Sequence, residues 1–242
     1  MADYSYIGSG RTYLREIGGS AGLVEVGNCS ALSFGVTEDT KELKDYTQPG
    51  GGTYNEVRRI SAVEATMTIH DINAENLARA LYGSTSAVTT AAITDEAHAD
   101  IVLGAFIPTT HLPSAIGAVK KGATVLAENT DYEVRPSGII PLGGALSAGD
   151  DITISYTKAA ADVVQALTSS GKEYELVFDG LNEARSGKRT RVTAYRVKPG
   201  ALQSLGLIGE DYGALEVTGK VLKDTTKIGA GVSQYFKVEI EK

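Results

Sequence analysis

Tryptophan is absent from this chain of 242 residues, cysteine occurs once, and histidine occurs three times. Each scarcity closes off a class of function. The single thiol, Cys29, can form no intramolecular disulfide, and nothing else points to an oxidising compartment. In a strand-like run such a cysteine behaves as a small apolar side chain. His70, His98 and His111 form no pair at helical spacing, and one cysteine added to them makes no zinc site. Without tryptophan, and with tyrosines scattered, no concave aromatic platform for a small ligand stands out. Basic residues are outnumbered 23 to 30 by acidic ones, a formal charge of −7. That balance argues against a nucleic-acid grip, which needs clustered Lys and Arg to displace phosphate counterions. It leaves room for DNA to pass nearby, since an acidic wall repels DNA without holding it. No apolar run approaches the ~20 residues of a membrane helix, so no membrane partner is expected. The opening Met1-Ala2-Asp3-Tyr4-Ser5-Tyr6 lacks a basic stretch followed by an apolar core, so synthesis in a cytoplasm without export is expected.

Enzyme motifs fail in turn. A phosphate-binding loop needs Gly-x-x-x-x-Gly-Lys-Ser/Thr. Around Ser186-Gly187-Lys188-Arg189 the first glycine is replaced by Asn182 and the hydroxyl by Arg189. Gly50-Gly51-Gly52 is followed by no helix start whose dipole could hold a phosphate. Gly8-Ser9-Gly10 lacks the spacing of a nucleophile elbow. Glu173 and Glu175 share a strand face, as any acidic solvent face would place them. Asn28-Cys29-Ser30 fits a glycosylation acceptor but has no export signal to go with it. No enzymatic activity, cofactor or metal is expected.

What the chain does have is glycine, 28 in all, and short runs of Val, Thr, Ile and Tyr. That mix predicts a mainly β fold, and the length suits one large domain or two modest ones. In the first part, residues 1–97, residues 1–22 read as an arm with a short strand at Tyr13-Leu14-Arg15-Glu16-Ile17. Strands are predicted at 24–36 and 60–70. In the second, Val63, Ala65, Met67 and Ile69 alternate with Glu64, Thr66, Thr68 and His70. A helix is predicted over 73–82. Asn73 is its N-cap, Glu75 lies in its first turn, Ala74, Leu77, Ala78 and Leu81 form its apolar stripe, and Gly83 is its C′ residue.

Residues 83–97, rich in Ser, Thr and Ala, read as a linker into an inserted unit at 98–160. Short strands are predicted there at 100–106, 115–119, 123–126, 132–135 and 151–156, a small β-sandwich. From 161 to 242 long alternating strands return. Tyr174, Leu176 and Phe178 share one parity, as do Leu215, Val217 and Val221, and Phe236, Val238 and Ile240, with a further strand at 191–197. Neither outer part closes a core alone, so 1–97 and 161–242 are expected to build one discontinuous β domain.

Between the two early strands runs a charged segment, residues 38–54, read as one long loop. It carries Lys41, Glu42, Lys44, Asp45, Tyr46, Pro49, Gly50, Gly51 and Tyr54. Loops of that length in compact domains usually bind something. Mixed charge with tyrosines suits a protein surface that fixes register with another subunit.

Several patterns resemble the major tail tube family of long, non-contractile bacteriophage tails. Val26-Gly27-Asn28-Cys29-Ser30-Ala31-Leu32 leads into Thr40-Lys41-Glu42-Leu43-Lys44-Asp45-Tyr46 and Pro49-Gly50-Gly51-Gly52-Thr53. Met67-Thr68-Ile69-His70-Asp71 runs into Ala74-Glu75-Asn76-Leu77-Ala78-Arg79-Ala80-Leu81-Tyr82-Gly83. Gly209-Glu210-Asp211-Tyr212-Gly213-Ala214-Leu215-Glu216-Val217-Thr218-Gly219 resembles the family's late strand pair. Thr130-Asp131-Tyr132-Glu133-Val134 and Gly138-Ile139-Ile140 resemble the extra outer, Ig-like domain of some members.

The resemblance implies a twisted β-sandwich or partial barrel with one flanking helix, plus the inserted sandwich. It implies a subunit of stacked homohexameric rings that surround a tape-measure protein, meet terminator and distal tail proteins, and later conduct DNA without binding it specifically. Its place would be the virion tail, after assembly from the host bacterial cytoplasm. Residues 38–54 and an N-terminal arm with Tyr4, Tyr6, Arg11 and Tyr13 occupy the positions that join rings. Glu64, Glu173, Glu175 and Glu216 are the candidates for lumen-facing acids. The competing readings are a tube protein of a contractile tail or secretion system, a carbohydrate-binding β-sandwich, and a capsid decoration protein.

Overall fold

The computed structural model describes residues 4–242. Met1, Ala2 and Asp3, part of the expected arm, lie outside the described residues. In chain order the elements are β1 (Gly8–Glu16), β2 (Val24–Glu25), β3 (Cys29–Lys44), β4 (Thr53–Ile69), α1 (Ala74–Ala80), β5 (Ser84–Val88) and β6 (Ala91–His98). There follow β7 (Ile107–Pro108), β8 (Pro113–Lys121), β9 (Thr124–Val125), β10 (Tyr132–Arg135), β11 (Gly138–Pro141), β12 (Ile152–Lys158) and β13 (Ala161–Gln165). Last come β14 (Tyr174–Asn182), a 3-10 turn (Glu183–Arg185), β15 (Lys188–Pro199), β16 (Leu215–Val221) and β17 (Phe236–Ile240). The protein is mainly β, with several antiparallel sheets, and among the described residues none closes into a barrel.

Two compact units divide the chain, Met1–Ser84 with Val164–Lys242, and Thr85–Val163. The first holds an eight-stranded sheet in the order β2-β1-β14-β15-β16-β4-β3, with β17 pairing the start of β15 beside β16. Alternation drives it. Leu215, Val217 and Val221 are buried, and so are Val63, Ala65, Met67 and Ile69, while Glu216, Thr218 and Lys220 face out. The apolar faces of β3, β4 and β16 share one core with Leu14, Leu176, Ala194 and Val197 from β1, β14 and β15.

Helix α1 lies on this core through Leu77 and Ala80. Asn73 caps it by accepting from the Asn76 N–H at 2.8 Å. Buried Asn76 in turn donates to the carbonyls of Val26 (2.7 Å) and Asp71 (2.8 Å), pinning the β2–β3 link to the helix. Tyr82, not Gly83, takes the left-handed C′ position (φ 50°), and the Gly83 N–H closes onto the Ala78 carbonyl at 2.8 Å. Gly83 is needed for space instead, because a Cβ there would overlap the Gln165 carbonyl.

Three expectations for this unit need correction. Residues 8–16 are no arm, because β1 pairs with β14 along its whole length and buries Thr12 and Leu14. Gly10 is glycine because a Cβ would collide with Asp179 and Gly180, not because the chain breaks there. The strand predicted at 24–36 is interrupted at Gly27 (φ 87°), where Asp71 crowds the backbone and accepts the Asn28 N–H. Residues 38–54 are not one loop. Glu38 to Lys44 and Thr53 to Ile60 are paired strand, so β3 and β4 form one hairpin with a turn at 45–52.

In the second unit a four-stranded sheet, β6-β12-β8-β9, and a three-stranded one, β10-β11-β7, enclose Ile101, Val119, Tyr132, Ile139, Ile152 and Ile154. Strands β5 and β13, by which the chain enters and leaves, pair with each other. The boundary falls at Ser84/Thr85 and Val163/Val164 rather than at 97/98 and 160/161. The supposed linker at 83–97 is largely β5 and β6, because ladder pairing with β12 suits small Ala and Thr side chains. Residues 100–106, expected as a strand, bury Ile101 and turn at Gly104 (φ 78°).

Candidate interaction surfaces

The hairpin changes character along its length. Its inner half buries every second residue of β4, whereas residues 36–44 and 53–61 are exposed throughout. Bulges at Thr37/Glu38 and Leu43/Lys44 let β3 slip against β4. Register then gives the outer half two unlike faces. Asp39, Lys41 and Leu43 lie opposite Arg59, Val57 and Asn55 on one side. Two bases, Lys41 and Arg59, against one acid, with Val57 and Leu43, make that side basic and apolar. Glu38, Thr40 and Glu42 lie opposite Ile60, Arg58 and Glu56 on the other side, where Arg58 pairs with Glu56 and reaches Glu38 at 4.0 Å.

The turn is internally braced. The Asp45 N–H donates to the Gly52 carbonyl at 2.7 Å. Thr47 gives Asp45 both its hydroxyl (2.6 Å) and its N–H (2.8 Å), which holds the Asp45 carboxyl below its usual range. Gly50 and Gly51 take positive φ, while Tyr46, Pro49 and Tyr54 are exposed. All nine residues singled out in 38–54 thus lie together on the outer hairpin.

The N-terminal four have different settings. Tyr4 lies under the Arg185 guanidinium at 5.0 Å, and exposed Tyr6 precedes a clamp in which Asn182 accepts from the Ile7 N–H. Arg11 and Tyr13 belong to β1. Arg11 pairs with Glu25 at 3.1 Å and Tyr13 sits opposite Val177.

The four carboxylates also separate. Glu173 pairs with Arg196 at 2.8 Å and Glu175 pairs with Arg15, so both are neutralised locally. Glu64 and Glu216 lie on the polar face of β4 and β16 and line a cleft of about 650 Å³. Lys198 and Lys220 line it too, and Lys220 lies directly opposite Glu64. That face carries mixed charge rather than acid alone.

Features missed by sequence reading include the edges and the long segment before β16. Among the described residues β3 pairs only with β4, and β17 only with β15. Phe34 and Phe236 stack across these strands at 5.0 Å. Beside them is a groove of about 560 Å³ lined by Tyr6, Cys29, Phe178, Val238 and Ile240, with the buried Thr190 hydroxyl unpartnered among the described residues. Burial raises the Cys29 thiol pKa, opposed by a hydrogen bond with Thr12, so the sulfur is a packing atom.

Residues 200–214 carry no regular structure. Leu202 and Leu205 pack on the core, and the Gly213 carbonyl meets His70 at 3.2 Å. Between these moorings Leu207, Ile208 and Tyr212 are 83%, 100% and 96% exposed.

In the second unit polar groups are turned inward. Asp131 accepts from the N–H groups of Ala127 (2.7 Å) and Ala145 (2.8 Å), which hold its carboxyl below the usual range. Burial pushes the Glu96 carboxyl up, but hydrogen bonds from the Tyr156 hydroxyl (2.6 Å) and the Thr110 N–H (3.0 Å) bring it below its ordinary value. His98 meets the same carboxylate at 3.1 Å. This network ties the 109–112 segment to the sheet. Among the described residues no three His, Cys, Asp or Glu side chains are gathered as a metal would need.

The molecule is a mainly β protein of two compact units, one of which carries a long hairpin that its own chain leaves uncovered. A family model described as protein of unknown function UCP028589 matches residues 5–239, and the chain belongs to that family. No curated protein matches it.

Proposed function

We propose that this chain is a self-assembling structural subunit of the major tail tube type of long, non-contractile phage tails. The observation that carries the reading is the outer half of the β3–β4 hairpin. A two-stranded ribbon open to water on both faces is marginal by itself. Here it extends a sheet whose edges at β3 and β17 are unpaired, and open edges are a hazard unless another chain covers them. A neighbouring subunit that adds strands and seats the hairpin removes both problems.

In this reading the first unit is a twisted sandwich or partial barrel, and Thr85–Val163 is an Ig-like sandwich on the outside of the tube. Homohexameric rings stack around a tape-measure protein, between terminator and distal tail proteins, and DNA later passes through. The polar face of β4 and β16 borders that passage. Its mix of Glu64 and Glu216 with Lys198 and Lys220 offers DNA no continuous basic track. The subunit works without catalysis or cofactor, in the virion tail after assembly in the bacterial cytoplasm.

Negative-stain electron microscopy of the purified chain, and of any virion carrying it, tests the proposal. Rings or hollow tubes are expected. Compact single subunits in the first and no tube containing this chain in the second would overturn it.

A further inference from the structure

The outer hairpin and the 206–212 tongue are two uncovered surfaces of one chain with opposite chemistry. On the basic face of the hairpin, Lys41 and Arg59 make no ion pair among the described residues, and Val57 and Leu43 lie beside them about half exposed. On the tongue, Glu210 and Asp211 also lack an ion-pair partner among the described residues, and Leu207, Ile208 and Tyr212 stand almost wholly in water. No hydrogen bond among the described residues holds the tongue between its moorings at Leu205 and His70. Each surface joins apolar area to charge of one sign, and the signs are complementary.

We infer that the basic face of one copy's hairpin docks on the 206–212 tongue of a second copy, a contact that rests on the tube-subunit reading above. Apolar burial of Leu207, Ile208 and Tyr212 against Val57 and Leu43 supplies the adhesion. The charges choose the hairpin face, because the opposite one, with Glu38, Glu42 and Glu56, would repel Glu210 and Asp211. The two patches differ, so the contact is head to tail. Such contacts repeat into closed rings or open helical stacks instead of stopping at a dimer.

Charge reversal in the full chain tests the inference by sedimentation velocity and electron microscopy. Lys41→Glu with Arg59→Glu, and separately Glu210→Lys with Asp211→Lys, should each weaken assembly by about tenfold or more, since like charges then meet. The four changes together should restore it toward wild type. All positions are exposed, and circular dichroism with a melting curve verifies each fold. Lys41→Gln with Arg59→Gln, which removes charge without reversing it, should give a smaller loss.

Wild-type assemblies that survive either reversal, or a quadruple variant no better than the doubles, overturn this contact while the tube reading stands. A wild-type chain that never assembles, with no tube in a virion, overturns both.

Discussion

The two halves of the β3–β4 hairpin are one continuous pair of strands held by one ladder, yet they serve opposite ends. The inner half places Val63, Ala65, Met67 and Ile69 in a core with β16, β14 and α1. The outer half has the same backbone and buries none of its β4 residues. Hydrogen bonding along a ladder therefore does not set where a sheet ends. The side chains decide, and beyond Val36 they leave both faces of the ribbon exposed among the described residues.

The sharpest way to break the contrast is to truncate an apolar side chain in each half. Met67→Ala in the inner half should cost about 2–5 kcal/mol of folding stability, as buried large-to-small changes do, measured by urea unfolding of the first unit. Equal losses from truncating an outer residue such as Val57 would erase the distinction.

The next largest effect belongs to the second unit, where polar groups are satisfied internally. Asp131→Asn should lower the thermal midpoint of that unit at pH 7, because an amide cannot accept from both Ala127 and Ala145 as a carboxylate does. Its pH dependence has a definite sign. The folded-state pKa of Asp131 is depressed, so its stabilisation is fully present above its unfolded value of ~3.9 and drains as pH falls through the lower folded value. The gap between wild type and variant should be wide at pH 7 and narrow at pH 3. A gap that widens in acid would contradict the assignment.

The smallest effect on folding is expected at the outer half. Val57→Ser should change subunit stability by no more than about 0.5 kcal/mol, the ordinary range for surface sites, while measurably lowering self-association by light scattering. A destabilised fold with unchanged association would invert the account.

How much of this was legible in the chain followed the strength of alternation. Helix α1 and its Asn73 cap, β10, β14 and β16 were readable because apolar residues recur at one period and polar residues mark the ends. Strand β1 was hidden by Gly8 and Gly10, which look like breaks but permit close approach to β14. The outer hairpin was hidden because charges fill both faces, leaving a strand without a hydrophobic period. Strand β6 was hidden by Ala and Thr. Of the candidate residues, the nine in 38–54 could be found together because they are contiguous. The partners of Glu173 and Glu175 and the bases beside Glu64 and Glu216 come from cross-strand register, which one sequence does not display.

The most direct test of the central claim, that a second subunit covers the outer hairpin, is amide hydrogen exchange read by mass spectrometry on dispersed and assembled protein. Peptides spanning residues 38–60 should exchange at least about tenfold more slowly in the assembled form, while those from the inner half of β4 stay slow in both. Outer-hairpin exchange equally fast in both forms would contradict the claim.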